Sequence, residues 1–476
     1  MVVAPATARL AAAQHTAWML VDLLARTDGI VSAVHVVCPL DVPLAGRVVP
    51  LAPRTVPLAD ALIIGGNAIG AAPVDLVAVP ADGVTVLVVG AEEHPGCRYV
   101  LGHGWWGGVA DQPMTFPERV SDLPVGSYVA AALAVGEVYL RARLPEHVAA
   151  ATGIRGWDCW QQCLADHPSA DAPANVADLD LSGVALAGVG AVGSTWIHTL
   201  WATPGLAGDI VVADADEKGV DITNLNRCPL FGRDSVGMGK ADEAARIAGD
   251  SSIAWQACDG RLEACLQVRT RPRVLVSAVD RNRAREALQN LYVATILSGS
   301  TRDLRAEVLR AGPPGVGACL RCYNPPEALV GDDELRTRLR DAGPEAIARH
   351  ALDVGVAERD VVQWLGRGQC DEVGNRLIQS LRRTAESNVP TQFAVGFTSV
   401  MAGVLLAAET IKTELGRDLT TDGASVNNAT FQFRKPTSSA NGAVPLGRDP
   451  SCPACAPTNP ALAIWRRRAE QARPGA

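Results

Sequence analysis

The chain has 476 residues, 48% of them hydrophobic and 20% charged, and a formal net charge of −8 at pH 7. That length exceeds what one hydrophobic core serves and, at roughly 150 residues per domain, predicts two or three domains. The composition is too apolar for a disordered chain, and the acidic balance excludes a general binder of nucleic-acid backbone, which needs a basic excess. No nucleic-acid partner is expected.

The opening MVVAPATARLAAAQHTAWMLVDLLAR lacks a basic n-region, and Gln14, His15 and Asp22 interrupt its apolar stretch. It reads as an amphipathic helix, not a secretion signal. Twelve cysteines without such a signal point to a reducing compartment, the cytoplasm, where paired cysteines hold metal more often than they form disulfides. The longest apolar run, Val395–Ala408, is interrupted by Thr398 and Ser399 and is too short to cross a bilayer. It is predicted as a core helix, and no membrane partner is expected.

Residues 1–150 are assigned to an N-terminal α/β domain. LADALIIGGNAIG (Leu58–Gly70) parallels LSGVALAGVGAVG (Leu181–Gly193), with Asn67 where the later copy has Gly190. VAAALAVGEV (Val129–Val138) parallels MAGVLLAAET (Met401–Thr410) in the same way. Two readings stay open: a duplicated unit whose first copy has lost its chemistry, and two unrelated α/β units. Residues 151–180 are read as a linker, because His167–Leu181 is rich in Pro, Ala and Asp.

Residues 181–476 form the second predicted domain. Short Val/Leu-rich runs, Val184–Ala187, Ile210–Ala213 and Val274–Ala278, alternate with Ala-rich segments, the pattern of a mainly parallel, Rossmann-like sheet with crossover helices. From Glu327 to Asn388 the chain is charged and rich in helix formers, which predicts a helical insertion.

Gly188-Val-Gly190-Ala-Val-Gly193 follows the first of these strands and opens a helix. Its glycines permit a tight turn and close approach of a phosphate, which the free N–H groups and dipole of the helix stabilise. Asp214 lies at the end of IVVA, 21 residues after Gly193, where a carboxylate meets ribose hydroxyls. Then come Asp216, Asn224, Arg227 and Lys240. A nicotinamide enzyme needs no Arg and Lys here, whereas a triphosphate needs several cationic and amide donors. In VLVSAVDRNRAR, Asp280 stands past the third strand, as a hard oxygen ligand for Mg²⁺ or as a plain helix N-cap.

Cys319-Leu-Arg-Cys322 and Cys452-Pro-Ala-Cys455 offer four thiolates for a closed tetrahedral zinc site. With no open coordination position, that metal is expected to tie the C-terminal segment to the core.

The glycine turn, the Asp-x-Asp, NLNRCPLF, GKADEAA and VSAVDRNRAR, in this order, resemble the ThiF/MoeB family, relatives of the ubiquitin-activating enzymes, densely over Leu181–Ala318 and more loosely over Thr391–Ala456. The resemblance implies an adenylyltransferase. ATP and Mg²⁺ would activate the C-terminal carboxylate of a ubiquitin-like or sulfur-carrier protein, a peptide or a small acid. It implies that Asp214 holds the ribose, Asn224, Arg227 and Lys240 the phosphates and Asp280 the Mg²⁺, with a homodimer or an internal pseudo-dimer as the assembly. Cys370, in the inserted segment, would match the thioester-forming cysteine of some members, although Asp371 and Glu372 beside it oppose a reactive thiolate.

The chain departs from the family in three places. Two extra residues precede NLNR, Cys228 replaces the usual Gln, and no Arg-Tyr-rich segment supplies the partner arginine, for which Arg155 is the nearest candidate. An NAD-dependent oxidoreductase on the same glycine turn lacks a hydride-transfer acid/base pair here and leaves Arg227 and Lys240 unexplained. A nucleotide-binding scaffold without catalysis is the alternative of another class.

Overall fold

Residue by residue, the first half of the chain runs β1 (Val2–Val3), α1 (Ala11–Arg26), β2 (Val34–Val36), α2 (Leu58–Ile69), β3 (Val74–Leu76), β4 (Leu87–Val89), β5 (Arg98–His103), β6 (Trp106–Ala110), α3 (Val125–Arg143), β7 (Arg155–Asp158) and β8 (Cys163–Leu164). After β9 (Leu179–Asp180) come β10 (Val184–Ala187), α4 (Ala191–Ala202), β11 (Leu206–Asp214), α5 (Lys240–Ala248), β12 (Ile253–Asp259), α6 (Leu262–Cys265), β13 (Val274–Ser277), α7 (Asn282–Gln289), β14 (Thr295–Arg302) and β15 (Arg305–Ala311). The chain then continues through α8 (Asp332–Ala342), α9 (Pro344–Asp353), α10 (Glu358–Gly366), α11 (Gly396–Glu414), a ribbon of β16 (Thr420–Thr421) and β17 (Ala424–Ser425), β18 (Asn428–Gln432), β19 (Gly442–Val444) and α12 (Pro460–Gln471). This computed structural model describes residues 1–117, 121–145, 153–266, 271–302, 304–312, 317–322, 324, 332–353, 357–366, 395–417, 420–421 and 424–471.

Two compact units result. Residues 1–325 and 394–476 form one, and residues 326–393 form the other. In the smaller unit α8, α9 and α10 bury Leu339, Ala351, Val361 and Leu365, and Arg340 donates to the Leu365 carbonyl.

In the larger unit the strand orders of the two main sheets correspond. The first reads β1-β4-β5-β6-β7-β8, and the second contains β10-β13-β14-β15-β18-β19. In each series the first two pairings are parallel and the last three antiparallel. The parallel pair β2–β3 lies beside β1 through the Val2–Val37 bridge, as β11–β12 lies beside β10. Helices α3 and α11, each 19 residues, occupy the same place between the third and fourth pairings of their series. One hydrophobic core runs through both halves and takes in Trp18, Leu20, Tyr128, Val129, Trp196, Ile197, Phe397 and Met401.

This order corrects two expectations. Leu58–Gly70 is not a strand and glycine turn but helix α2, which ends in the left-handed Gly70. Its Gly65 and Gly66 serve packing: a Cβ there would lie 2.6 Å from Val49 and 2.6 Å from Val74 respectively. The segment in the position of Gly188–Gly193 is instead Ala4–Leu10, between β1 and α1. Residues 151–180 are also more than a linker, since β7 and β8 extend the first sheet and β9 pairs with β11. The Pro/Ala/Asp composition of His167–Leu181 masked β9, while β7 and β8 are too short to announce themselves, although Trp157 in β7 is fully buried.

Candidate active site

The crevice lies where β10, β11 and β13 end side by side. These strands pair in parallel, Ala187 opposite both Ala213 and Ser277, so everything following their C-terminal ends converges on one edge of the sheet. Gly188 takes φ +93°, and a Cβ on it would lie 2.9 Å from the Ala278 carbonyl group. A Cβ at Gly193 would lie 1.9 Å from the Gly188 carbonyl oxygen, so this glycine lets α4 pack on the turn. Gly190, the N-cap, faces open space and provides no side-chain cap for α4. The first-turn N–H groups of α4 thus carry no side-chain cap, the electrostatic setting for an anion.

Asp214 ends β11 and is tied to that turn. Its carboxylate accepts hydrogen bonds from Val189 N at 2.6 Å and from Asp216 N at 2.9 Å. Lys240 starts α5, is largely buried, and donates its ammonium to the half-exposed Asp216 carboxylate. Burial pulls the Asp216 carboxyl upward, but the hydrogen bond and charge of Lys240 outweigh it and hold it below the usual carboxylate range.

Asn224 is buried in a reciprocal cap. Its Oδ1 accepts from Asp221 N at 2.9 Å, while Asp221 Oδ1 accepts from Thr223 N at 2.8 Å. This fixes the loop that carries Arg227, whose Nη1 donates to Thr223 O at 2.7 Å and to Asn226 Oδ1 at 3.0 Å. Cys228 is buried beneath the loop, and burial pushes its thiol up.

Asp280 is exposed, two residues past the Ala278 that abuts Gly188. It does not cap α7, whose N-cap is Arg281, so its carboxylate is not spent on a helix end. Sequence reading missed Asp259, the register partner of Asp214 on β12, which lies beside Asp242. Burial, and then the Asp242 carboxylate, push the Asp259 carboxyl up. It also missed Arg26, which binds the Arg227 loop from the other half of the chain. Nothing in a local motif links residues so far apart.

Cys319, Cys322, Cys452 and Cys455 do come together, with all four sulfur atoms within 4.8 Å of one another. The separations Cys319–Cys452, Cys319–Cys322 and Cys322–Cys455 are 3.6, 3.7 and 3.4 Å, close to the edge of a tetrahedron with zinc–sulfur bonds of about 2.3 Å. Hydrogen bonds from the Cys319 thiol, and from the Cys319 and Asp449 backbone N–H groups, hold the Cys322 thiol down.

Two sequence candidates fall elsewhere. Cys370 lies outside the described residues. Arg155 is not free for a phosphate, since it pairs with Glu137, which Arg98 also binds at 3.0 Å. Separately, Cys258 and Cys265 form a disulfide between β12 and α6.

A mainly parallel sheet with a glycine turn, an uncapped helix N-terminus, a strand-end carboxylate and a buried lysine fits the Rossmann-like adenylation fold. The chain belongs to the ThiF family, whose match spans residues 169–454, more than half of its length. It is an adenylyltransferase of that family. No curated protein matches it in sequence. Among solved structures it is similar to E. coli MccB with MccA-N7isoASN, at 15% identity and a TM-score of 0.37 over 58% of this chain and 67% of that one. It is also similar to E. coli MccB with ATP, at 16% identity and a TM-score of 0.36 over 58% and 68% of the two chains. A third is the microcin C7 biosynthetic enzyme MccB in complex with N-formylated MccA, at 15% identity and a TM-score of 0.36 over 59% and 68%. Among the described residues, no helix is long and apolar enough to cross a membrane.

Proposed function

We propose that this adenylyltransferase uses ATP to activate a carboxylate as an acyl adenylate. A carboxylate oxygen attacks the α-phosphorus, a new C–O–P linkage forms, the bond to the β-phosphate oxygen breaks, and pyrophosphate leaves. The carboxylate is the nucleophile, so no catalytic Ser or His is needed, and positioning with charge stabilisation suffices.

The observation that carries this reading is the uncapped N-terminus of α4, open at Gly190 and flanked by Asp214 and Lys240. The N–H groups there take a phosphate, Asp214 the ribose hydroxyls, and Lys240, Asn224 and Arg227 the remaining phosphate oxygens. Asp280 is the carboxylate suited to a Mg²⁺ ion, which when bound would neutralise charge on the phosphates. The four cysteines are suited to structural Zn²⁺. The carboxylate class is the C-terminus of a ubiquitin-like or sulfur-carrier protein, or a peptide or small acid.

The first half is proposed to be a duplicated unit without adenylation chemistry, making the chain an internal pseudo-dimer. Ala4-Pro5-Ala6-Thr7-Ala8 replaces the glycine turn, and buried Leu58 begins α2 where Lys240 begins α5. The test is carboxylate-dependent exchange of pyrophosphate into ATP by the full chain, screened against peptides and small carrier proteins. Binding of NAD in preference to ATP, with no exchange for any carboxylate, would overturn the assignment.

A further inference from the structure

Arg26 ends α1 in the first half of the chain and is fully buried, as is Asp22 one turn earlier. Its Nε lies 3.0 Å from both Asp22 oxygens, and Nη2 lies 2.8 Å from Asp22 Oδ1. The same guanidinium then reaches across to the second half. Nη1 donates to the Leu225 carbonyl at 2.5 Å and Nη2 to the Phe231 carbonyl at 2.9 Å. One planar cation therefore pins both ends of the segment that carries Asn226, Arg227 and Cys228.

Further packing acts on the same loop. Gly396, at the start of α11, approaches so closely that a Cβ there would lie 3.2 Å from the Asn226 carbonyl oxygen, 3.3 Å from Leu23 of α1 and 3.8 Å from Arg227 Cα. Within the loop, Arg227 N and Cys228 N donate to the Asn224 carbonyl at 3.1 and 2.9 Å. These bonds order the loop from within, while Arg26 and Leu23 of α1 hold it against the rest of the second half. A buried ion pair is a poor source of net stability, because desolvation offsets the attraction. What a fork with fixed bond angles does supply is geometry, since it sets the separation of the two carbonyls it binds.

We propose that Arg26, oriented by Asp22, is a positioning residue for the adenylation site: the first half of the chain holds the Asn224–Phe231 loop so that Arg227 meets the reacting phosphates. This rests on the adenylation reading for the role of Arg227, but the clamping of the loop can be measured without it. A displacement of about 1 Å at a group acting on the transition state costs on the order of a hundredfold in rate, so a small shift of this loop is costly.

The experiment uses the full chain with Arg26→Lys, which keeps the charge but cannot fork, and with Asp22→Asn combined with Arg26→Met, which leaves no buried orphan charge. Hydrogen exchange is expected to show that amides of residues 225–231 lose about tenfold or more of their protection, while those of β10, β11 and β13 keep theirs. Pyrophosphate exchange should fall about tenfold or more in maximal rate, with ATP affinity within about threefold of the parent. Combined with Arg227→Ala, the Arg26 changes should cost less than about threefold further, because they act through Arg227. Unchanged protection of 225–231, or full additivity with Arg227→Ala, overturns the proposal. A parent protein that shows no exchange defeats the adenylation reading instead, and the protection data still decide the clamp.

Discussion

Tyr128 Oη lies 3.2 Å from His198 Nε2, joining α3 of the first half to α4 of the second, and His15 of α1 packs edge-on against the same Tyr128 ring at 5.8 Å. All three side chains are buried where the halves meet. Burial, and then the charge of Arg47, lower His15 to about 3. Burial, then His15 and Arg26, lower His198 to about 3 as well. Both imidazoles are therefore neutral in the folded chain at pH 5, while in the unfolded chain they protonate near 6.5. A depressed folded value means that stability is fully present above pH 6.5 and is lost as pH falls toward 3. Each histidine should cost about 2 kcal/mol between pH 7 and pH 5. Denaturant midpoints across that range should show the decline, and His15→Phe should remove about half of this slope. An unchanged slope in His15→Phe would show that the acid sensitivity arises elsewhere.

The cysteine cluster gives a second expectation. The purified protein should contain about one zinc per chain by elemental analysis. Cys322→Ser or Cys455→Ser should release it and lower the melting temperature by about 5 °C or more, while ATP affinity changes little. The cluster packs Cys319, Cys452, Ala454 and Cys455 together, and Tyr292 Oη binds the Ala454 carbonyl at 3.1 Å, so loss of metal loosens the C-terminal segment. Fully reduced protein without zinc would refute the assignment.

Lys240 provides a third. Its ammonium is paired with Asp216, whose backbone N–H in turn binds the Asp214 carboxylate that holds the glycine turn. Lys240→Met should weaken ATP binding by about 1.5–3 kcal/mol, the worth of a charged hydrogen bond. Because Lys240 is proposed to hold the phosphates of ATP in ground and transition states alike, the maximal rate should fall less than the affinity. Calorimetric titration with ATP checks this, and an unaltered Kd would remove Lys240 from the phosphate site.

Much of this site was legible because its parts are local. Gly188, Gly190 and Gly193 declare a turn, Asp214 follows at the distance one crossover helix sets, and the two Cys-x-x-Cys pairs announce their ligands. The internal correspondence was harder to read. Leu58–Gly70 carries an apolar run and glycines like those of Leu181–Gly193, yet its glycines admit neighbouring side chains against a helix, a purpose that composition does not distinguish from a phosphate turn. The better guide was the pair of Ala-rich helices, Val129–Val138 and Met401–Thr410, which lie within α3 and α11. Arg26 left no signal of this role, because the partners it reaches in the second half are backbone carbonyls about 200 residues away, and carbonyls have no sequence identity.

Asp280 and Arg227 should be separable by what each contributes to the reaction. Asp280 is exposed at the end of β13 and accepts no helix-capping hydrogen bond, which leaves it free for a divalent cation. Asp280→Ala should nearly abolish pyrophosphate exchange, and raising Mg²⁺ should restore little of it, because the ion would lose its anchor as well as its charge balance. Arg227 is held at the loop by Thr223 and Asn226, which fixes its guanidinium before substrate arrives. A preorganised cation acts most strongly where charge develops during attack on the α-phosphorus. Arg227→Ala should therefore lower the maximal rate by a penalty of roughly 3–4 kcal/mol, as for a removed oxyanion donor, while ATP affinity changes far less. Binding and turnover must be measured separately, on variants whose circular dichroism matches the parent. Near-normal turnover in both variants would place neither residue at the reacting phosphates, and the crevice at the end of β10 would then need a different chemistry.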